Sequence, residues 1–130
     1  MVLDETQVSK LMASASRAAE TISETVGKGG LIHVFSHLDA DGIAAAGIVG
    51  KALYRLDARF RVRITQWIED RIMGEVLSDR PDLIVFADLG SGYLEMLNQK
   101  LKDLRIVVLD HHQIIGTEGD HVVQVNPHLH

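Results

Sequence analysis

Leu31-Ile32-His33-Val34-Phe35-Ser36-His37-Leu38-Asp39-Ala40-Asp41-Gly42 is the stretch whose reading decides the fold. Its first half is a short, largely apolar run of the kind that forms a strand buried on both faces. Its second half places an imidazole and two carboxylates at alternate positions. If the backbone stays extended, alternation sends His37, Asp39 and Asp41 to one side. One nitrogen and two carboxylates then converge on a point. Core packing has no use for that arrangement, whereas a divalent cation does.

The pattern recurs twice. Leu83-Ile84-Val85-Phe86-Ala87 ends in Asp88-Leu89-Gly90-Ser91-Gly92, and Arg105-Ile106-Val107-Val108-Leu109 ends in Asp110-His111-His112. Three buried strands thus deliver acids or imidazoles at their C-terminal ends, the edge of an open α/β sheet where ligands bind.

Helical patterns separate these strands. Val8, Leu11, Met12, Ala15, Ala19, Ile22 and Val26 recur at three- and four-residue spacing, which predicts an amphipathic helix from about Asp4 to Val26, ended by Gly27-Lys28-Gly29-Gly30. Strand one is expected over Leu31–Ser36, then a helix over Ile43–Leu56 whose Ala44-Ala45-Ala46-Gly47 and Gly50 give a face small enough to lie close on the sheet. Strand two follows over Arg59–Trp67, a short helix over Ile72–Ser78, strand three over Leu83–Ala87 and a helix over Gly92–Leu101. Strand four is expected over Arg105–Leu109 and a last strand over His121–Val125. Gly116-Thr117-Glu118-Gly119-Asp120 reads as a surface turn. Strands alternating with helices imply right-handed crossovers. The expected fold is a doubly wound α/β domain, a mainly parallel five-stranded sheet with helices on both faces.

At 130 residues and 46% apolar content the chain is expected to be one domain with one buried core, residues 1–27 forming its N-terminal helix. It has no cysteine, which removes disulfides and thiolate metal sites and fits a reducing cytoplasm. The N-terminus carries no signal-peptide pattern, and the apolar runs are too short to span a bilayer, so no membrane role is expected. A net charge of −5 argues at first against a nucleic-acid partner, but bound cations would offset the site carboxylates locally. Arg55, Arg59, Arg61, Arg63 and Arg71 crowd together; a half-exposed strand with solvated arginines explains them better than a phosphate track.

Each constellation has a plainer explanation. Asp41 would serve as a helix cap. Asp88 alone would be a strand-end acid capping the next helix, with Ser91 as a competing cap. A calcium loop of EF-hand type fails, because its first ligand would be His37 and its closing glutamate would fall at Ile48. A haloacid dehalogenase-type phosphatase wants Thr or Val where Gly42 stands. Neighbours in an extended chain point to opposite sides, so His111 and His112 divide into one metal ligand and one imidazole facing substrate. His33, His121, His128 and His130 lie outside the converging ends. Three strand ends carrying this set together decide for a metal site.

These residues resemble the DHH phosphoesterase superfamily, named for the triplet found here as Asp110-His111-His112. His37-Leu38-Asp39-Ala40-Asp41-Gly42 is similar to its first motif and Asp88 to its second. The single residue between His37 and Asp39 resembles the RecJ-like branch. Ala87-Asp88-Leu89-Gly90-Ser91-Gly92 and Val125-Asn126-Pro127-His128 are similar to archaeal RecJ-like single-strand-specific nucleases. The resemblance runs from about Leu31 to His128. It implies a two-ion site, usually Mn²⁺ with Mg²⁺ as the substitute. Asp39 and Asp41 would each bind one ion and Asp88 would bridge both. His37 would sit beside the first ion, His111 would bind the second, His112 would contact the scissile phosphate, and Asp110 would orient the imidazoles. Two such ions about 3.5–4 Å apart suit in-line hydrolysis of a phosphodiester.

Members of the family also carry a further aspartate ligand downstream and a C-terminal substrate-binding domain. The chain stops at Pro127-His128-Leu129-His130, before either, so it is expected to be the N-terminal part of a longer protein. The leading expectation is a RecJ-like exonuclease domain acting on single-stranded DNA or RNA. The alternatives are a non-catalytic replication scaffold bound to the GINS complex, and a hydrolase of small phosphate esters.

Overall fold

The computed structural model describes residues 2–129. Five parallel strands, β1 (Leu31–His37), β2 (Arg59–Thr65), β3 (Leu83–Ala87), β4 (Arg105–Leu109) and β5 (Val122–Val125), form one sheet in the order β2-β1-β3-β4-β5. Helices α1 (Glu5–Gly27), α2 (Ala40–Arg55), α3 (Asp70–Asp79) and α4 (Leu94–Lys100) cover it on both sides, with short 3₁₀ turns at Ser91–Tyr93 and Pro127–Leu129. The doubly wound α/β expectation holds, and the sheet is wholly parallel. The chain runs outward from β1 to β2, then crosses back to β3 on the other side of β1. The strand order therefore reverses between β1 and β3. In open sheets of this kind the crevice at that reversal, beyond the C-terminal strand ends, receives the ligand.

Strand alternation builds two cores. Ile32, Val34, Leu83, Val85 and Val107 pack with Ala18 of α1 and Leu53 of α2 on one face. Phe35, Ile84, Phe86, Ile106 and Val108 pack with α3 and α4 residues such as Ile72, Val76, Leu94 and Leu97 on the other. Each such fully buried Leu, Ile or Phe contributes roughly 1.5–3 kcal/mol.

Two helices depart from their expected form. In α1, Asp4 and Gln7 make a reciprocal capping box. The most buried positions, however, are Ser14, Ala18, Thr21 and Thr25, while Ile22 and Val26 of the apolar stripe pack half-buried against the core. The Thr21 and Thr25 hydroxyls donate to carbonyls one turn back, which lets them be buried without loss. Val8 and Met12 stay exposed. Helix α2 starts three residues before its expected beginning, at Ala40, because Asp39 caps it: Gly42 N–H donates to Asp39 Oδ1 at 2.8 Å. Gly42 has no alternative there. A Cβ would lie 2.0 Å from the His37 carbonyl oxygen, where the first turn of α2 presses on the end of β1. Ser36 Oγ, fully buried, lies 2.6 Å from Gly42 O and 2.8 Å from Ala87 O, and its one hydroxyl proton, shared between the two carbonyls, ties α2, β1 and β3 together.

Edge strand β2 keeps its arginines occupied locally. Arg61 pairs with Asp79 and Arg63 with Glu75 of α3, which agrees with the solvated-strand reading. Among the described residues, no helix is long and apolar enough to cross a membrane.

Candidate metal centre

The site forms where β1, β3 and β4 end. At β1, His37 Nδ1 lies 3.1 Å from Asp39 Oδ2. At β3, Asp88 adopts a left-handed backbone (φ 59°), anchored by its N–H donating to Leu109 O at 2.8 Å. A non-glycine residue in that conformation costs about 1–3 kcal/mol and persists where the surroundings over-determine it. At β4, Asp110 N–H donates to Val125 O, and the chain then leaves the sheet. His111 Nε2 and Asp88 Oδ1 share a 2.8 Å hydrogen bond, and His112 Nδ1 and Asp110 Oδ1 share one of 2.6 Å.

Two sets of ligand atoms each lie within 4.8 Å of one another: His37, Asp39 and Asp88, and Asp88, Asp110, His111 and His112. Asp88 belongs to both. It is 5% exposed, and its Oδ2 is buried without a hydrogen-bond partner. A buried carboxylate oxygen left in that state is costly unless a cation or proton meets it. The donor set, mixed carboxylate and imidazole, suits Mn²⁺ or a similar ion and fits the implied metal.

Asp41 requires a correction. The extended alternation that would align it with His37 and Asp39 does not occur, since Asp39 is the cap of α2 and Asp41 lies in its first turn. Residues two apart in a helix point roughly 200° apart. Asp41 accordingly stands outside both sets and lines a cavity of about 600 Å³ together with Asp88, Asp110 and His111. Leu11 and Met12 of α1 and Ile48 of α2 form the apolar wall of that cavity. His37 and His112 instead line a second cavity of about 350 Å³ on the α4 side, which Asp88 and Asp110 also border.

The opposed orientation expected for His111 and His112 is likewise corrected. Strand β4 ends at Leu109, so neither histidine belongs to a strand, and their rings lie 4.3 Å apart. Their partners differ nonetheless, Asp88 for one and Asp110 for the other. His33, His121 and His128 lie outside the cluster, and His130 lies outside the described residues.

The electrostatics follow from these contacts. Burial pushes the Asp88 carboxyl above its ordinary range, His111 opposes this, and the nearby Asp39 charge adds to it. The Gly42 N–H, with His37 beside it, holds Asp39 low. Burial alone would raise Asp110, but hydrogen bonds from His112 and from the N–H groups of Ser91, His111 and His112 outweigh it and hold the carboxyl low. The bond to Asp110 in turn raises His112 above its ordinary value.

A buried network missed by sequence reasoning holds the triplet. Ser91 N–H donates to Asp110 Oδ2 (3.1 Å), and Ser91 Oγ donates to Gln124 Oε1 (2.9 Å). Asn126 Nδ2 donates to Ser91 Oγ and to the His112 carbonyl, both at 2.9 Å. Ser91, Gln124 and Asn126 are each at most 1% exposed. A single glutamine within Val122-Val123-Gln124-Val125 was the available signal, a polar side chain at an inward strand position.

Residues 31–130 match the sequence profile of the DHH family, N-terminal domain. The chain belongs to the DHH family. It is a RecJ-like member carrying a DHH phosphoesterase-type domain. An uncharacterized protein of Methanocaldococcus jannaschii is 27% identical over 106 residues, 77% of this chain and 24% of that protein. The exonuclease RecJ bound to manganese matches with a TM-score of 0.72 at 26% identity, over 83% of this chain and 30% of that one. RecJ from Thermus thermophilus in complex with Mn²⁺ gives 0.74 at 26% identity, over 89% and 17%. The DHH chain thus spans about a quarter of the curated relative and less than a third of either RecJ chain.

Proposed function

We propose that residues 1–130 form one DHH-type domain of a metal-dependent phosphodiesterase that hydrolyses single-stranded DNA or RNA as an exonuclease. The observation that carries this reading is Asp88, a buried carboxylate common to two ligand sets and short of a partner on one oxygen. On this reading Asp39 with His37 would hold one divalent ion and His111 a second, with Asp88 serving both; Asp41, outside the two sets, would reach the second ion across the α1-side cavity that it lines with Asp88 and His111. Manganese in the two similar RecJ structures supports Mn²⁺, with Mg²⁺ as a substitute. Bound ions of this kind supply an activated water and charge neutralisation at phosphate.

The chain's own residues do the rest. Asp110 stays ionised and fixes His112 through Nδ1, which leaves the other ring nitrogen for a phosphate oxygen. Asp110 raises the His112 pKa above its ordinary value, and the protonated ring so favoured makes the stronger hydrogen bond to that oxygen. The network through Ser91, Gln124 and Asn126 keeps the Asp110-His111-His112 turn in register. A GINS-bound scaffold without catalysis would have no use for an unpartnered buried carboxylate, and this favours the enzyme.

The test is hydrolysis of end-labelled single-stranded DNA and RNA oligonucleotides in Mn²⁺, using the chain with any continuation its reading frame encodes. Shortening from one end, abolished by chelation and by Asp88→Asn, is expected. Turnover of small phosphate monoesters alone, or no metal-dependent turnover, would overturn the reading.

A further inference from the structure

We propose that the 350 Å³ cavity on the α4 side is a nucleoside subsite, in which Trp67 and Tyr93 hold the base of the nucleotide whose phosphate lies at the cluster. The proposal rests on the phosphodiesterase reading above and adds where the base goes.

The cavity is continuous with the candidate centre, since His37, Asp88, Asp110 and His112 form one of its walls. Away from that wall the lining is uncharged: Gln66, Trp67, Gly92, Tyr93, Gln113 and Ile115. A volume of about 350 Å³ stands at the lower end of small-molecule sites, which run from roughly 300 to 1,000 Å³, and suits one nucleoside. The larger cavity on the α1 side has mostly aliphatic walls beside its acids and His111, with no Trp, Tyr or Phe on which a base could stack.

An exposed tryptophan alone carries little meaning. Here its placement is built. Thr65 Oγ1 donates to the Trp67 carbonyl at 2.9 Å, turning the chain as it leaves β2, and Ile68 is buried in the α3-side core immediately after. Trp67 is left 54% exposed beside the cavity, while the residues on either side of its turn are anchored. Another wall of the cavity is tied down as well, because Ile115 N–H donates to Ser91 O at 2.9 Å. That bond links the wall to the same serine that positions Asp110. Gly90 permits the turn between: its φ is +119°, and a Cβ would meet Val108 at 3.0 Å and Phe86 at 3.2 Å.

Aromatic faces accept any base, so the subsite confers affinity with little sequence preference. The amides of Gln66 and Gln113 add donors and acceptors for a base edge or sugar hydroxyl. An uncharged wall also spares an incoming nucleotide the repulsion of a chain with net charge −5.

Trp67 is the single tryptophan of the chain, so its fluorescence reports on the cavity directly. With Mn²⁺ present, adenosine 5′-monophosphate should quench Trp67 emission saturably. Ribose 5-phosphate, which lacks the base, should leave emission unchanged and bind roughly tenfold or more weakly by calorimetry. Trp67→Ala should bring adenosine 5′-monophosphate down to the ribose 5-phosphate level. Trp67→Phe keeps an aromatic face and should retain most of the difference, which separates lost stacking from lost fold. Equal affinity for the two probes, or Trp67→Ala binding the nucleotide as the parent does, would overturn the subsite while leaving the phosphodiesterase reading in place. Failure of the parent to bind Mn²⁺ and both probes would overturn the two together.

Discussion

Replacing Asp88 with Asn should stabilise the metal-free protein while destroying its response to metal. Asp88 is almost fully buried, its Oδ2 lacks a partner, and the Asp39 carboxylate lies beside it. Its pKa is raised by burial, so the stability it contributes is present below the unfolded value of about 3.9 and is lost as pH rises through the folded value. Above the folded value the fold therefore carries an unfavourable charge. Asn has nearly the same shape and is among the few residues that tolerate the left-handed backbone at this position (φ 59°). Its carbonyl oxygen can still accept from His111, and its amide can donate to Asp39 where two carboxylates now face each other. Relief of one unpaired buried group is worth on the order of 1–2 kcal/mol, a rise in Tm of roughly 3–10 °C for a domain of this size. The assay is thermal unfolding at pH 7, in chelator and again in Mn²⁺. In chelator Asp88→Asn should melt higher than the parent, and the gap should close toward about pH 4, near the ordinary carboxylate value. In Mn²⁺ at about a hundred times its Kd, the parent should gain about 2.7 kcal/mol and the variant almost nothing. A variant that melts lower than the parent in chelator, or gains equally from Mn²⁺, would refute the reasoning.

His111→Ala should weaken Mn²⁺ binding by calorimetry, whereas His112→Ala should spare metal and slow hydrolysis; equal loss of metal affinity in both would contradict the division drawn from their different partners. The His112 ring should titrate above about 6.5 by NMR, and Asp110→Asn should lower it. The stability that His112 adds is complete below that value and is lost as pH rises through the folded pKa, so Tm should decline over that window in the parent more than in Asp110→Asn. Asn126→Ala strips a hydrogen bond from Ser91 and another from the His112 carbonyl, and should cost about 1–3 kcal/mol by denaturant unfolding; an unchanged midpoint would remove the network from the account. Gly42→Ala drives a Cβ into the His37 carbonyl and should lower Tm severely or prevent folding; a normally folded variant would show that α2 does not press on β1.

The strands were legible because three are short apolar runs bounded by polar residues, and the observed β3 and β4 match their expected limits residue for residue. The site's location was legible for the same reason, since in a parallel sheet all strand ends share one edge. Local direction was not. Whether Asp39 continues a strand or caps a helix depends on a tertiary contact, the seating of Gly42 against His37, that alternation cannot reveal. Asp41 consequently turned to the α1 side. The apolar stripe of α1 was informative only in part: Ile22 and Val26 pack on the core, but small and hydroxyl residues sit closest to the sheet and Leu11 and Met12 are left along a cavity wall. Gln124 and Asn126 came together with Ser91 only through the β4–β5 pairing.

The most direct test is an anomalous difference map from crystals of this chain soaked in Mn²⁺. Density is expected on both sides of Asp88, one peak against Asp39 and His37 and the other against His111 and Asp41, about 3.5–4 Å apart. Mn²⁺ bound away from Asp88, or no ordered peak at the ends of β1, β3 and β4 at saturating metal, would contradict the claim that these strand ends converge to hold a metal.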